Sequence, residues 1–275
     1  MPVAFLNTGA TSMASANWSD TTGFAAAAQL VIREGSQAIV NDLNQSATSI
    51  EFLDILEGFS GNIGSASGSL RCDADGTAES PTTRVSRIRY NASGGNFYFS
   101  ATGGNTLAHF VEINTGGTFW GTDGIMKNVV LQNGTARFAA AVAGTGGVWR
   151  FTGGVGIIDY AAALAIPQLD VVAGRHTLSR NATTLNVYGG ELVIDCAALA
   201  ITTITITGGN VRLLNSGTVT TVNLYGGTLD CSATQRPVTF TTMNSDFAAT
   251  FIKGVNITIG TENVANKGAR GRSRI

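Results

Sequence analysis

Only two histidines occur in the 275 residues, His109 and His176, and they lie far apart in sequence. No His/Cys cluster with metal-ligand spacing exists, so no metal centre is expected. Each histidine reads as solvent-facing or as satisfied inside a core. The densest acids are Glu51, Asp54 and Glu57 in the run Ile50–Leu56 and the residue after it. Paired carboxylates are what glycoside cleavage requires. In a helix all three would share a face, whereas in a strand Glu51 and Asp54 would point opposite ways. The solvated face of a capping element accounts for them without chemistry. Asp73-Ala-Asp75-Gly76 matches the opening of a calcium loop but lacks its third ligand position and its closing glutamate. GTGGVW, residues 144–149, has the glycines of a phosphate loop without the Lys-Ser/Thr or the helix. Arg84, Arg87 and Arg89 suit either an anionic partner or a solvated strand edge that resists aggregation. These spacings assign no catalytic, cofactor-binding or metal-binding residue, and no enzymatic activity is expected.

The aromatic residues say more. Tyr188 and Tyr225 each precede a Gly-Gly pair, and Phe119, Trp120 and Trp149 each follow one closely. The elements holding them repeat. Thr184–Gly190 reads TLNVYGG, Thr203–Gly209 reads TITITGG and Thr221–Gly227 reads TVNLYGG. Each copy alternates apolar and polar residues, turns on glycine and alternates again, which is the pattern of stacked β-solenoid turns. Period-two alternation sends Leu185, Val187, Ile204, Ile206, Val222 and Leu224 inward. It sends Asn186, Thr205, Asn223, Tyr188, Thr207 and Tyr225 outward. After the glycines, Leu192, Ile194, Val211, Leu213, Leu229 and Cys231 take the inward places. A third apolar point recurs at Ile201, Val219 and Val238, which suggests three faces per turn. Arg212 and Asp230 fall at equivalent outward positions on successive turns. Exposed aromatic ladders of this kind suit subunit contacts or flat sugar rings, and subunit contacts are the preferred reading.

Gly-Gly pairs and strand-like runs continue upstream, so the solenoid is placed at residues 84–260. At roughly 20 residues per turn this gives about eight or nine turns and a rod about 40 Å long. Residues 1–83 read as an N-terminal cap and attachment region, holding a short helix in 15–28, two strands about Glu34-Gly35-Ser36, and room for the first one or two turns. A solenoid must hide its open end. Residues 261–275 form a basic tail in which Lys267, Arg270, Arg272 and Arg274 have no acid among them after residue 266. Such a tail is either a disordered solubilising segment or an arm for an acidic surface.

Composition agrees with an all-β rod. There are 35 Gly against 4 Pro, and 13% of residues are charged. Like charges at equivalent positions would sit about 4.8 Å apart on stacked turns, a cost that Asn and Thr ladders avoid. The net charge of −1 argues against nucleic acid as a partner. No apolar run approaches membrane-spanning length, so no membrane is expected. The start MPVAFLNTGA carries no signal-peptide pattern, and the three cysteines are too sparse for a disulfide framework; synthesis in a cytoplasm is expected. A bridge between Cys196 and Cys231 is disfavoured because the two are not at equivalent positions.

The run INTGGTFWGTDG (Ile113–Gly124), the series LNVYGG with LYGGTLD, and EGSQAIV with EGFSGNIG resemble β-helical structural proteins of tailed bacteriophages, cyanophages included. The resemblance covers most of the chain in texture. It implies a non-enzymatic virion protein of the capsid cement or decoration type, a homotrimer bound to the major capsid protein at the particle surface. It transfers no catalytic residues and no cofactor. On this reading Tyr188, Tyr225, Trp120, Trp149, Lys267, Arg270, Arg272 and Arg274 are the partner-binding residues. The alternative within the same resemblance is a tail adsorption protein that binds or cleaves polysaccharide.

Overall fold

A computed structural model describes residues 3–4, 12–14, 17, 28–73, 87–101, 107–144, 146–159, 165–196, 198–214 and 216–264. These residues form a β-solenoid of about ten turns in which strand pairs with strand in parallel. The register is the one the repeats predict. Leu185 pairs with Ile204 and Ile204 with Val222, while Val187, Ile206 and Leu224 make the neighbouring column. All six side chains are buried. Fully burying one such side chain is worth about 1.5–3 kcal/mol, and each except Leu224, which has Ser245 on the next turn, is held between apolar residues above and below.

Each regular turn has three faces. Leu199–Ile201 pairs with Gly217–Val219; pairing skips Thr202 and resumes at Thr203, which faces Thr221. The skip marks a corner, because Thr202 and Thr203 both point away from the core and break the alternation. A second corner follows at Gly208-Gly209, and Asn210–Leu213 forms the third face. Glycine is required there. Gly209 has φ +75°, and a Cβ on it would stand 2.6 Å from the Gly190 carbonyl oxygen one turn below. Gly190 is in the same position above Gly174, and Gly227 above Gly209. Only glycine tolerates both the left-handed backbone and the close approach.

The coil starts earlier than residue 84. Ala28–Gly35 pairs in parallel with Asn44–Phe59, which pairs in turn with Arg87–Tyr90. Residues 28–73 therefore contribute turns of the same rod. The Glu34-Gly35-Ser36 segment ends a strand, and Ile39 bridges to Ile63 on the next turn rather than folding back as a hairpin. The short helix expected in 15–28 falls almost wholly outside the described residues. At the other end the coil reaches Val264, where Ile257–Val264 pairs with Val238–Ser245. Residues 265–275, with Lys267, Arg270, Arg272 and Arg274, lie outside the described residues.

Candidate interaction surface

The Gly-Gly corner carries an exposed ridge. Tyr188 and Tyr225 are 51% and 45% exposed, with Thr207 between them in register. Val172 continues the row one turn below Tyr188, and Phe247, 64% exposed, stands beside it one turn above Tyr225. The row exists because the residue before the glycines is outward on these late turns, at Tyr188, Thr207 and Tyr225, so side chains of any size are tolerated there. Large apolar groups in that place cover no core of their own chain.

Two of the four expected aromatic contacts behave differently. Trp149 is not at the surface: it is fully buried, its indole donates to the Met126 carbonyl at 3.0 Å, and its ring lies 4.6 Å from Phe138. After Gly147 the outward place is taken by Val148, so Trp149 falls in the inward column between Val129 and Leu169. Phe119 is inward for the same reason and is fully buried. Trp120 does point outward, but its own chain covers it. Its ring stacks on Tyr98 at 5.4 Å and 13°, Arg137 lies over it at 4.8 Å, and its indole donates to Asn96 Oδ1 at 3.2 Å. Such a stack contributes to stability and leaves little ring face for a partner.

Beside the ridge runs a polar column. Arg150, Asp170, Asn186, Thr205, Asn223, Asn244 and Asn263 are partners on successive turns. Arg150 pairs with Asp170 at 3.2 Å, and Asn186 donates to the same carboxylate at 2.9 Å. Asn244 donates to Asn223 at 2.7 Å and Asn263 to Asn244 at 2.9 Å. The amides satisfy one another along the rod axis without stacking like charges.

The acids expected to compete as a catalytic pair are arranged otherwise. Asp54 lies between Arg87 and Arg89 at 3.2 and 3.6 Å, and Arg89 also reaches Glu112 at 3.3 Å. Glu57 is exposed further along the same strand. The segment is a strand, so no helical face gathers Glu51, Asp54 and Glu57; the Glu51 side chain lies outside what is described. Arg87 and Arg89 thus act as bridges between turns, while Arg84 lies outside the described residues. Asp73 ends a strand and Asp75 lies outside the described residues. GTGGVW is a corner, with φ +61° at Gly146. Arg212 and Asp230 are in register but make no ion pair among the described residues. The Asp230 carboxyl is held below its usual range by hydrogen bonds from Ser232 first and by Arg212 last.

Two buried polar residues emerge from the fold. His176 is 1% exposed; Gly156 donates its N–H to Nδ1 at 3.0 Å, so Nε2 carries the proton and donates to the Ala173 carbonyl at 2.7 Å. Burial pushes its pKa below the ordinary histidine value, with the Ala173 carbonyl acting in the opposite sense. Of the two roles open to it, core satisfaction is the one realised; the His109 side chain is not described. Arg180 is equally buried and donates to the carbonyls of Asp159 at 2.9 Å, Ala139 at 2.7 Å and Val142. Its even spacing from Leu178 and Ala182 already placed it on the inward parity, a signal masked by its charge. Cys196 and Cys231 are both buried free thiols, pushed up to about 12 by burial.

Comparison of the chain with known protein families, with curated proteins and with solved structures finds no match.

Proposed function

We propose that this chain is a non-enzymatic structural protein of a phage-type particle, which associates through its corner ridge into a parallel homotrimer and decorates or clamps the capsid. The ridge of Val172, Tyr188, Tyr225 and Phe247 is the observation that carries this reading. In the late turns, where the polar column beside the ridge is satisfied by its own neighbours, the chain has no internal use for a row of exposed aromatic side chains, and such rows mark contact surfaces. A closed three-fold arrangement of parallel rods buries that row from each copy against the next. The virion assignment draws its support from the resemblance of the Ile113–Gly124 and LNVYGG runs to phage β-helical proteins. The major capsid protein is the partner that this assignment implies, with the basic residues Lys267, Arg270, Arg272 and Arg274 as an auxiliary arm.

Light scattering coupled to size exclusion tests the association. A trimer is expected for the unmodified chain, and a monomer for the variant carrying both Tyr188→Asp and Tyr225→Asp. A clean monomer of the unmodified chain at micromolar concentration rejects the subunit contact. Quantifying copies per purified particle tests the role: many copies agree with decoration, whereas a few agree with a tail protein.

A further inference from the structure

A polar cleft of about 480 Å³ opens in the early turns, far along the rod from the ridge. Its floor is one column of successive partners: Asn44 pairs with Arg71, Arg71 with Ser100 and Ser100 with Asp123. The column differs in kind from the Asn/Thr ladder of the later turns. There equivalent positions repeat one chemistry, whereas here an amide, a guanidinium, a hydroxyl and a carboxylate follow one another. The register slips between Phe99 and Ser100, so that Thr122 is bulged out and its hydroxyl donates to the Phe99 carbonyl at 2.9 Å. Bulges of this sort re-aim the side chains around them.

Two groups in the cleft are unfinished. Ser100 is 2% exposed, and its hydroxyl has no hydrogen-bond partner among the described residues. A buried hydroxyl in that state costs free energy, and native structures seldom leave one. Arg71 is exposed and takes part in none of the ion pairs of the described residues. Asp123 is held in place by the Gly124 N–H, which donates to Oδ1 at 2.7 Å and leaves Oδ2 for another donor.

We propose that this cleft binds a small hydroxylated carboxylate of the acidic-sugar class. The guanidinium of Arg71 takes the carboxylate in its two-pronged geometry. Two rungs away, about 9–10 Å along the column, Asp123 accepts a ligand hydroxyl. Ser100 lies between them, and the ligand supplies the partner its hydroxyl lacks. Among the described residues the cleft holds one cation and one acid, and this neutral balance selects a ligand that carries a carboxylate at one end and hydroxyls at the other. Binding here needs no contact from the Tyr188–Tyr225 ridge and is independent of the oligomeric state.

Saturation-transfer NMR and calorimetric titration of the full chain test it, with galacturonate, galactose, acetate and trigalacturonate as probes. Galacturonate is expected to bind more tightly than either galactose or acetate. Arg71→Gln is expected to weaken it about tenfold or more, as loss of a charge-assisted bidentate contact does. Ser100→Ala removes an unpartnered group, so its melting temperature should hold while galacturonate affinity falls by a smaller factor. Equal affinity for galacturonate and trigalacturonate identifies a free sugar acid as the ligand, and tighter binding of trigalacturonate identifies a polysaccharide. Equal binding of galacturonate and galactose overturns the proposal. So does unchanged affinity in a folded Arg71→Gln variant, or the absence of saturable binding by every probe.

Discussion

The early and late turns of the rod solve one packing problem in two ways. From about residue 166 onward, successive partners along the polar column are 16, 19, 18, 21 and 19 residues apart, and the interior is built mainly from Leu, Ile and Val. In the early turns the equivalent separations are 33 and 23 residues. There the interior is aromatic. Tyr90, Phe97, Phe119, Phe138 and Phe151 form a chain of rings with centroids 5.4 to 6.5 Å apart. Short constant turns enclose a narrow section that branched aliphatic residues fill by repetition. Longer, variable turns enclose a wider one, and rings in tilted contact fill it without needing identical neighbours. Regularity belongs to the backbone ladder in both halves, but only the late half writes it into the side chains.

The largest expected effect is in the late half. Ile206→Asp places an unpaired charge between Val187 and Leu224 and should abolish soluble folded protein. Soluble Ile206→Asp with the unmodified melting profile would reject the register. In the early half, Phe138→Ala removes a ring that touches Phe119, Trp149 and Phe151. A loss of about 3–5 kcal/mol is expected by chemical denaturation; a cost below that of a single methyl group would mean that the aromatic core is loose. Gly209→Ala strains a positive φ and collides with the turn beneath, so a loss of roughly 1–3 kcal/mol is predicted. The same change at the half-buried and unstrained Gly68, where an added Cβ meets nothing nearer than 3.7 Å, should cost far less, which calibrates how much the corner glycines contribute.

A pH effect separates the two halves further, because His176 sits where the ring stack meets the aliphatic columns, 4.9 Å from Phe151 and in register with Leu192. Its folded pKa lies below its unfolded value, so the unfolded chain binds the extra proton first. The stability it contributes is complete above about pH 6.5 and is lost as pH falls below that value. Denaturation midpoints measured from pH 7.5 down to 5 should decline in the unmodified chain and decline less in His176→Phe. Parallel curves for the two proteins would remove His176 from the acid response. The smallest stability effect is expected for Tyr225→Ala, within about 0.5 kcal/mol for the isolated rod, since the ring covers no core of its own chain. Its effect on association should be much larger than its effect on melting.

The repeats at 184–227 carried the fold in plain sight. A period-two alternation has one inward set, and three copies of equal parity leave a single register, so the columns through Leu185, Ile204 and Val222 followed from the sequence. Gly190, Gly209 and Gly227 likewise announced the corners, because a residue type without Cβ recurs only where backbone passes backbone. Legibility faded where turn length varied. Residues 28–73 belong to the rod, but 33 residues between partners hide a period that 18 or 19 display. Trp149 shows the second limit. Its place after a Gly-Gly pair looked like the exposed one, yet one residue of offset decides between the surface and the interior, and only the pairing with Val129 and Leu169 fixes that offset.

Sequence alone determined the architecture, the inward columns of the late turns and the outward rows of Tyr188 and Tyr225, because each follows from local alternation. Tertiary structure decided which outward groups are free. Trp120 is covered by Tyr98 and Arg137, Asp54 is enclosed by two arginines, and Asn44, Arg71, Ser100 and Asp123 form one column. Those neighbours are separated by 17 to 35 residues of chain and by corners of unequal length, and a contact across such a gap is set by the stacking of whole turns.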